Sequence, residues 1–144
     1  MALELQAEIP ATPEEVFSIL TDPGQVKQWM PAVRSVERLD DRPFGVGTSW
    51  RETRLAGKRT MVSTIRVTAC DRASRLGLRV ESDAMEGAMT FTLTPTGPGT
   101  RVQYTVEMRG RGMMRLVTGT INKMMAQEDA DLLQRLQAQV LQSR

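Results

Sequence analysis

This chain of 144 residues contains no histidine. That absence excludes a Ser-His-Asp triad, a Cys-His dyad and any histidine-ligated metal, so acid–base chemistry falls to Asp, Glu, Tyr, Lys or a water. Cys70 is the one cysteine, which rules out an intrachain disulfide and a cysteine-rich zinc site. Aromatics are scarce: three Phe, two Trp and one Tyr. With no nucleic-acid motif and few rings to stack on bases, nucleic acid is not an expected partner. No segment approaches ~18 uninterrupted apolar residues, so no integral membrane association is expected. The opening MALELQAEIP lacks a basic start and a long apolar run and does not read as a signal peptide. A cytoplasmic location is the expectation.

The remaining composition is ordinary for a globular protein, with 40% hydrophobic and 25% charged residues and a net charge of +2. A chain of this length fits one domain, residues 1–144, with a core large enough to need no metal, and no cofactor is expected. Residues 9–33, IPATPEEVFSILTDPGQVKQWMPAV, spell two helix starts in succession. Thr12 caps, Pro13 takes the first helical position, and Glu15 stands three residues after the cap, able to reach back to its N–H. Asp22-Pro23-Gly24-Gln25 repeats the device, so the first helix is short. Pro31 limits the second.

Leu3, Leu5, Ala7 and Ile9 alternate with Glu4, Gln6 and Glu8, the period of a strand with one wet face. Residues 34–39 form a second, less regular strand pattern. Residues 48–55 and 59–69 flank Ala56-Gly57-Lys58, a hairpin signal. Leu76, Leu78 and Val80 mark a fifth strand, Met89, Phe91 and Leu93 a sixth, and Val102, Tyr104, Val106 and Met108 a seventh. From about Gly112 the period becomes helical, with Met114, Val117, Ile121, Met125, Leu132 and Leu136 on one side. Gly119 either kinks this helix or moves its start to near Thr120. Strands joined by hairpin-like turns imply an antiparallel sheet, and the helix must cover its dry face. A curved sheet need not seat flush on that helix, and the space left is a natural pocket.

The order of elements resembles the START/Bet v 1-like (SRPBCC) helix-grip superfamily, and the local sequence resembles its polyketide cyclase/dehydrase and lipid-transport branch. The likeness is carried by residues 9–31, by GVGTSWRETR, by FTLTPTGPGTRVQYTVEM and by the closing helix through Leu132-Leu133-Gln134-Arg135-Leu136. It implies an α+β helix-grip fold: a curved antiparallel sheet of about seven strands wrapped on a long C-terminal helix, with two short helices after the first strand. It also implies a pocket between sheet and helix. It supplies no catalytic motif to carry over.

Within that pocket, Met61, Met89, Met108, Met114 and Met125 fall on inward faces, suited to a soft cavity or to plain core filling. Ser63, Ile65, Val80, Phe91, Val106, Val117 and Ile121 share those faces, and Trp29 ends the second helix. Trp50, Glu52 and Arg54 share one strand face. If Trp50 points inward, a carboxylate–guanidinium pair enters the groove; otherwise the pair is solvated at a sheet edge. Tyr104 is a structural anchor or a ligand contact. Glu128 lies in the apolar stripe, so it must be paired, protonated or near water at the pocket mouth. Arg109, Arg111 and Arg115 read as a solvated basic patch, with phosphate or anionic-lipid attraction the sharper alternative.

Three functions fit. The first is binding or transport of a small, mainly hydrophobic ligand: a lipid, polyketide or aromatic metabolite. The second is a cyclase or dehydratase-like enzyme with Glu52, Arg54 and Tyr104 as candidate catalytic groups. The third is a protein-interaction module of the chaperone-activator type, with the cavity collapsed. An exposed sheet edge leaves room for a homodimer.

Overall fold

The computed structural model describes residues 3–56 and 58–144. Strand β1 (Leu3–Ile9) leads into α1 (Pro13–Leu20). Thr12 Oγ1 accepts the Glu15 amide at 3.1 Å, and Glu15 accepts the Thr12 amide at 3.0 Å, so the capping box closes in both directions. The Asp22 carboxylate accepts the Gly24 amide at 3.1 Å and starts a 3₁₀ turn, Pro23–Gln25, ahead of the short α2 (Val26–Trp29).

Six strands follow: β2 (Val33–Arg38), β3 (Ser49–Ala56), β4 (Arg59–Asp71), β5 (Arg75–Glu81), β6 (Met85–Pro95) and β7 (Thr100–Gly110). All pair antiparallel in the order β1-β7-β6-β5-β4-β3-β2, with β1 and β2 at the edges. The expected turn residue between β3 and β4, Gly57, lies outside the described residues. Along β7 every second residue, from Thr100 through Val102, Tyr104, Val106 and Met108 to Gly110, is buried, the period-two signature of a sheet with one dry face. Irregular register in β2/β3 and β4/β5 bends the sheet, as bulges do.

The C-terminal helical region crosses the dry face in three pieces: a 3₁₀ segment, Gly112–Val117, then α3 (Thr118–Asp129) and α4 (Leu132–Gln142). Gly119 does not delay the helix, which begins at Thr118. The interruption falls instead at Ala130 and Asp131. There Arg135 Nη2 donates to the Glu128 carbonyl at 3.3 Å, satisfying an acceptor that the break frees. Arg135 Nε also donates to the Trp29 carbonyl at 3.0 Å and Gln139 to Gln25 at 3.0 Å, tying α4 to α2. Leu132, Leu133, Leu136 and Val140 of α4 are buried against α1, α2 and β1, while α3 lies across β7.

Candidate functional site

The sheet and the α4 half of the helix pack solidly, but the α3 half stands off. Between α3 and strands β3 to β7 lies a cavity of about 200 Å³. Register explains its walls. On β3, Glu52 and Arg54 point inward, and their directly opposite partners on β4 are Ser63 and Met61. Ile65 faces Val80 across the next pair, and Gly87 of β6 stands between Val80 and Met108. Gly87 has no room for a side chain: a Cβ there would collide with the Met108 sulfur and the Glu107 carbonyl oxygen. The missing side chain lets Met108 fold onto the sheet.

Met61, Met85, Met89, Met108, Met114, Met124 and Met125 line the cavity, seven of the chain's ten methionines. Ile65, Val80, Ala84 and Ile121 complete its apolar wall, and Glu52, Arg54, Ser63 and Glu128 contribute its polar groups. An engineered cavity of ~150 Å³ accepts benzene, so the present one holds a molecule of about one to two rings without rearrangement. Methionine side chains pivot about three bonds and can admit more.

The polar end is an ion pair. Arg54 Nη2 donates to Glu52 Oε2 at 3.5 Å and lies 4.0 Å from the Met30 sulfur. Glu52 is 7% exposed. Burial pushes its carboxyl above the ordinary 4.5, and the Arg54 charge opposes the rise. Behind the pair, Tyr104 donates its hydroxyl to Asp129 Oδ2 at 3.1 Å. Both are buried, at 0% and 3% exposure. Desolvation, then the Asp129 charge, holds the phenol well above 10.0. Desolvation also raises Asp129, against the Tyr104 hydrogen bond and the charges of Arg54 and Arg135. Arg54 thus serves two buried carboxylates.

Of the two parities open to Trp50, Glu52 and Arg54 the chain takes the inward one, and Met61, Ser63, Ile65, Val80, Met89, Met108, Met114, Ile121, Met125 and Glu128 all lie at the cavity wall. Six expected residues sit elsewhere. Trp29, Trp50 and Phe91 surround an adjoining inner chamber of about 30 Å³ that shares Glu52, Arg54, Ile65 and Met89 with the cavity. Trp29 meets Phe91 edge-on at 6.4 Å, and these rings fill that end of the grip. The Trp29 indole N–H has no hydrogen-bond partner among the described residues, while that of Trp50 helps hold down the Glu52 carboxyl against burial. Tyr104 is turned away to Asp129 and stacks on Phe91 at 4.8 Å. Val106 is sealed in the core between Leu3 and Met89. Val117 is 39% exposed, because residues 112–117 wind at three per turn rather than 3.6 and rotate it off the stripe. Ala84, Met85, Met124 and Asp129 were not expected. Asp129 follows Met125 by four residues and precedes Leu132 by three, so helical spacing alone marked it as a stripe position alongside Glu128. Glu128 itself is exposed at the mouth.

A family model described as polyketide cyclase / dehydrase and lipid transport matches residues 2–140. The chain belongs to that family. The solved structures that resemble it agree with a helix-grip fold. A protein of Thermus thermophilus is 24% identical over 99% of both chains, with a TM-score of 0.83. A START superfamily protein from Mycobacterium smegmatis is 18% identical over 99% of both chains, with a TM-score of 0.81. The Zhui aromatase/cyclase from Streptomyces sp. R1128 is 13% identical, covering 97% of this chain and 93% of that one, with a TM-score of 0.82. At these identities the likeness speaks to fold alone. No curated protein sequence matches. Membership in the polyketide cyclase/dehydrase and lipid-transport family is compatible with carriers and with enzymes, so the choice rests on the site.

Proposed function

We propose that this chain binds a small, mainly apolar molecule between α3 and the sheet, with the molecule's polar end at Glu52 and Arg54. The class is a lipid, polyketide or aromatic metabolite. One observation carries the reading: a cavity of about 200 Å³ lined by seven methionines, whose sheet-side polar groups, Glu52, Arg54 and Ser63, sit together on β3 and β4. Core packing ordinarily leaves no such void. Apolar contact provides the affinity, at ~25 cal/mol per Å² buried before association costs, and Arg54 provides orientation by donating to a carbonyl or carboxylate. Family membership supports the same reading. Native mass spectrometry and solvent extraction of gently purified protein test it. A co-purifying or readily loaded apolar molecule is expected; exclusion of every apolar probe would defeat it.

The cyclase or dehydratase-like reading draws on one further feature, the Glu52 carboxyl raised by burial beside a cation in the cavity wall. Such a carboxyl can take a proton from carbon while Arg54 holds the developing oxyanion. Tyr104 drops out of a direct role, because its hydroxyl is committed to Asp129 and does not reach the cavity. With a substrate in hand, unchanged turnover in Glu52→Gln and Arg54→Gln would end this reading. The interaction-module reading calls for a collapsed groove, and the open cavity weighs against it.

A further inference from the structure

Residues 108–127 carry four cations, Arg109, Arg111, Arg115 and Lys123, and no acid, within a chain whose overall count is 19 cations to 17 acids. The backbone fixes how this segment stands. A Cβ at Gly110 would collide with the Met114 carbonyl group, and Gly112 adopts φ +57°, so the chain folds back sharply after β7. Gly110 N donates to Thr118 Oγ1 at 3.0 Å and Met114 N to the Arg111 carbonyl at 3.0 Å, pinning the turn. Met114 thereby lines the cavity, while Met113 and Leu116 stand 89% and 90% exposed. Met124 on α3 is half exposed and also lines the cavity.

Single exposed apolar side chains are common. A cluster on one pinned turn, beside an oily cavity and in a segment whose charged side chains are all cations, is not. Arg109 is held by Glu86 at 2.9 Å and Arg111 by the Ser82 carbonyl at 3.0 Å. Arg115 and Lys123 have no acidic partner among the described residues.

We propose that this turn docks onto an anionic lipid bilayer, Met113 and Leu116 entering the interface and Arg115 and Lys123 meeting lipid headgroups. Charge complementarity selects this occupant. A second copy packed about a two-fold axis would bring the same cations together. Two almost fully exposed apolar side chains on one turn can insert into a fluid interface. Met114, on the same turn, lines the cavity, so docking would bring that part of the cavity wall to the bilayer. The docking idea takes its purpose from the binding reading, but it is measured on ligand-free protein and can fail independently.

The experiment is vesicle co-flotation with phosphatidylcholine alone and with added phosphatidylglycerol. The wild type is expected to float with the anionic vesicles and to be released by salt. Met113→Asp with Leu116→Asp should weaken that binding on the order of tenfold or more. Arg115→Gln with Lys123→Gln should weaken it roughly fivefold per cation, on anionic vesicles only. All four side chains project outward, and thermal melting of each double variant checks that the fold is kept. Wild-type protein that ignores anionic vesicles, variants that float as it does, or a wild-type dimer that the apolar double variant dissolves would each overturn the proposal.

Discussion

Replacing Tyr104 with phenylalanine isolates one hydroxyl. The ring stays, and with it the packing on Phe91 at 4.8 Å, so no cavity opens. What is lost is the 3.1 Å hydrogen bond to Asp129, a carboxylate only 3% exposed. A hydrogen bond to a buried charged group is worth about 1.5–3 kcal/mol. The charges of Arg54 and Arg135 still act on Asp129, which places the expected loss toward the lower end, about 2 kcal/mol. With an unfolding entropy of about 2.1 cal/mol/K per residue over 144 residues, 1 kcal/mol corresponds to roughly 3 °C. Tyr104→Phe should therefore melt about 6 °C lower, with an unchanged urea m-value. The loss also depends on pH. The phenol favours ionised Asp129, so removing it lifts the Asp129 pKa further. The wild-type advantage is thus full above that raised pKa and fades as the pH falls through it toward the ordinary 3.8. Urea titrations from neutral pH downward measure both effects. A variant as stable as wild type at neutral pH, or a deficit that does not shrink on acidification, refutes the reasoning. Lost ligand affinity with unchanged stability would instead return Tyr104 to the site.

Three other perturbations separate the remaining parts of the account. Met89→Trp pushes a bulky ring into the cavity; probe affinity should fall at least about tenfold, at a stability change of about 1–3 kcal/mol read from urea melts. Glu52 holds its proton in the folded chain to higher pH than in the unfolded one, so its ionisation removes stability as the pH rises from about 4.5. Glu52→Gln should flatten that part of the stability–pH curve, and an unchanged slope would contradict the burial argument. Thr12→Ala opens the capping box and should lower stability by about 1 kcal/mol in thermal melts while leaving probe binding intact.

What could be read ahead of the structure followed the range of the forces involved. The Thr12–Glu15 box depends on four consecutive residues, and the strand faces depend on a period of two, so both were visible. The inward turn of Glu52 and Arg54 needed β3's pairing with β4, which only the parity of Trp50 hinted at. Helical spacing was least dependable where the winding changed. A 3₁₀ segment at residues 112–117 turned Val117 outward, and the break after Asp129 left two adjacent carboxylates, Glu128 and Asp129, as rival stripe positions. The aromatic residues were read as pocket lining because they share faces with it. In three dimensions Trp29, Phe91 and Tyr104 pack against one another and close one end of the grip, leaving the methionines to line the other.

The most direct test of the central claim uses the methionine methyl groups as reporters. Protein labelled with carbon-13 at the methionine methyls is titrated with a small aromatic ketone of one or two rings and followed by NMR. The resonances of Met61, Met85, Met89, Met108, Met114, Met124 and Met125, which line the cavity, should shift together with one saturation curve, while that of Met113, 89% exposed, stays in place. Seven unmoved lining resonances, or a shift confined to Met113, would contradict an apolar binding cavity between α3 and the sheet.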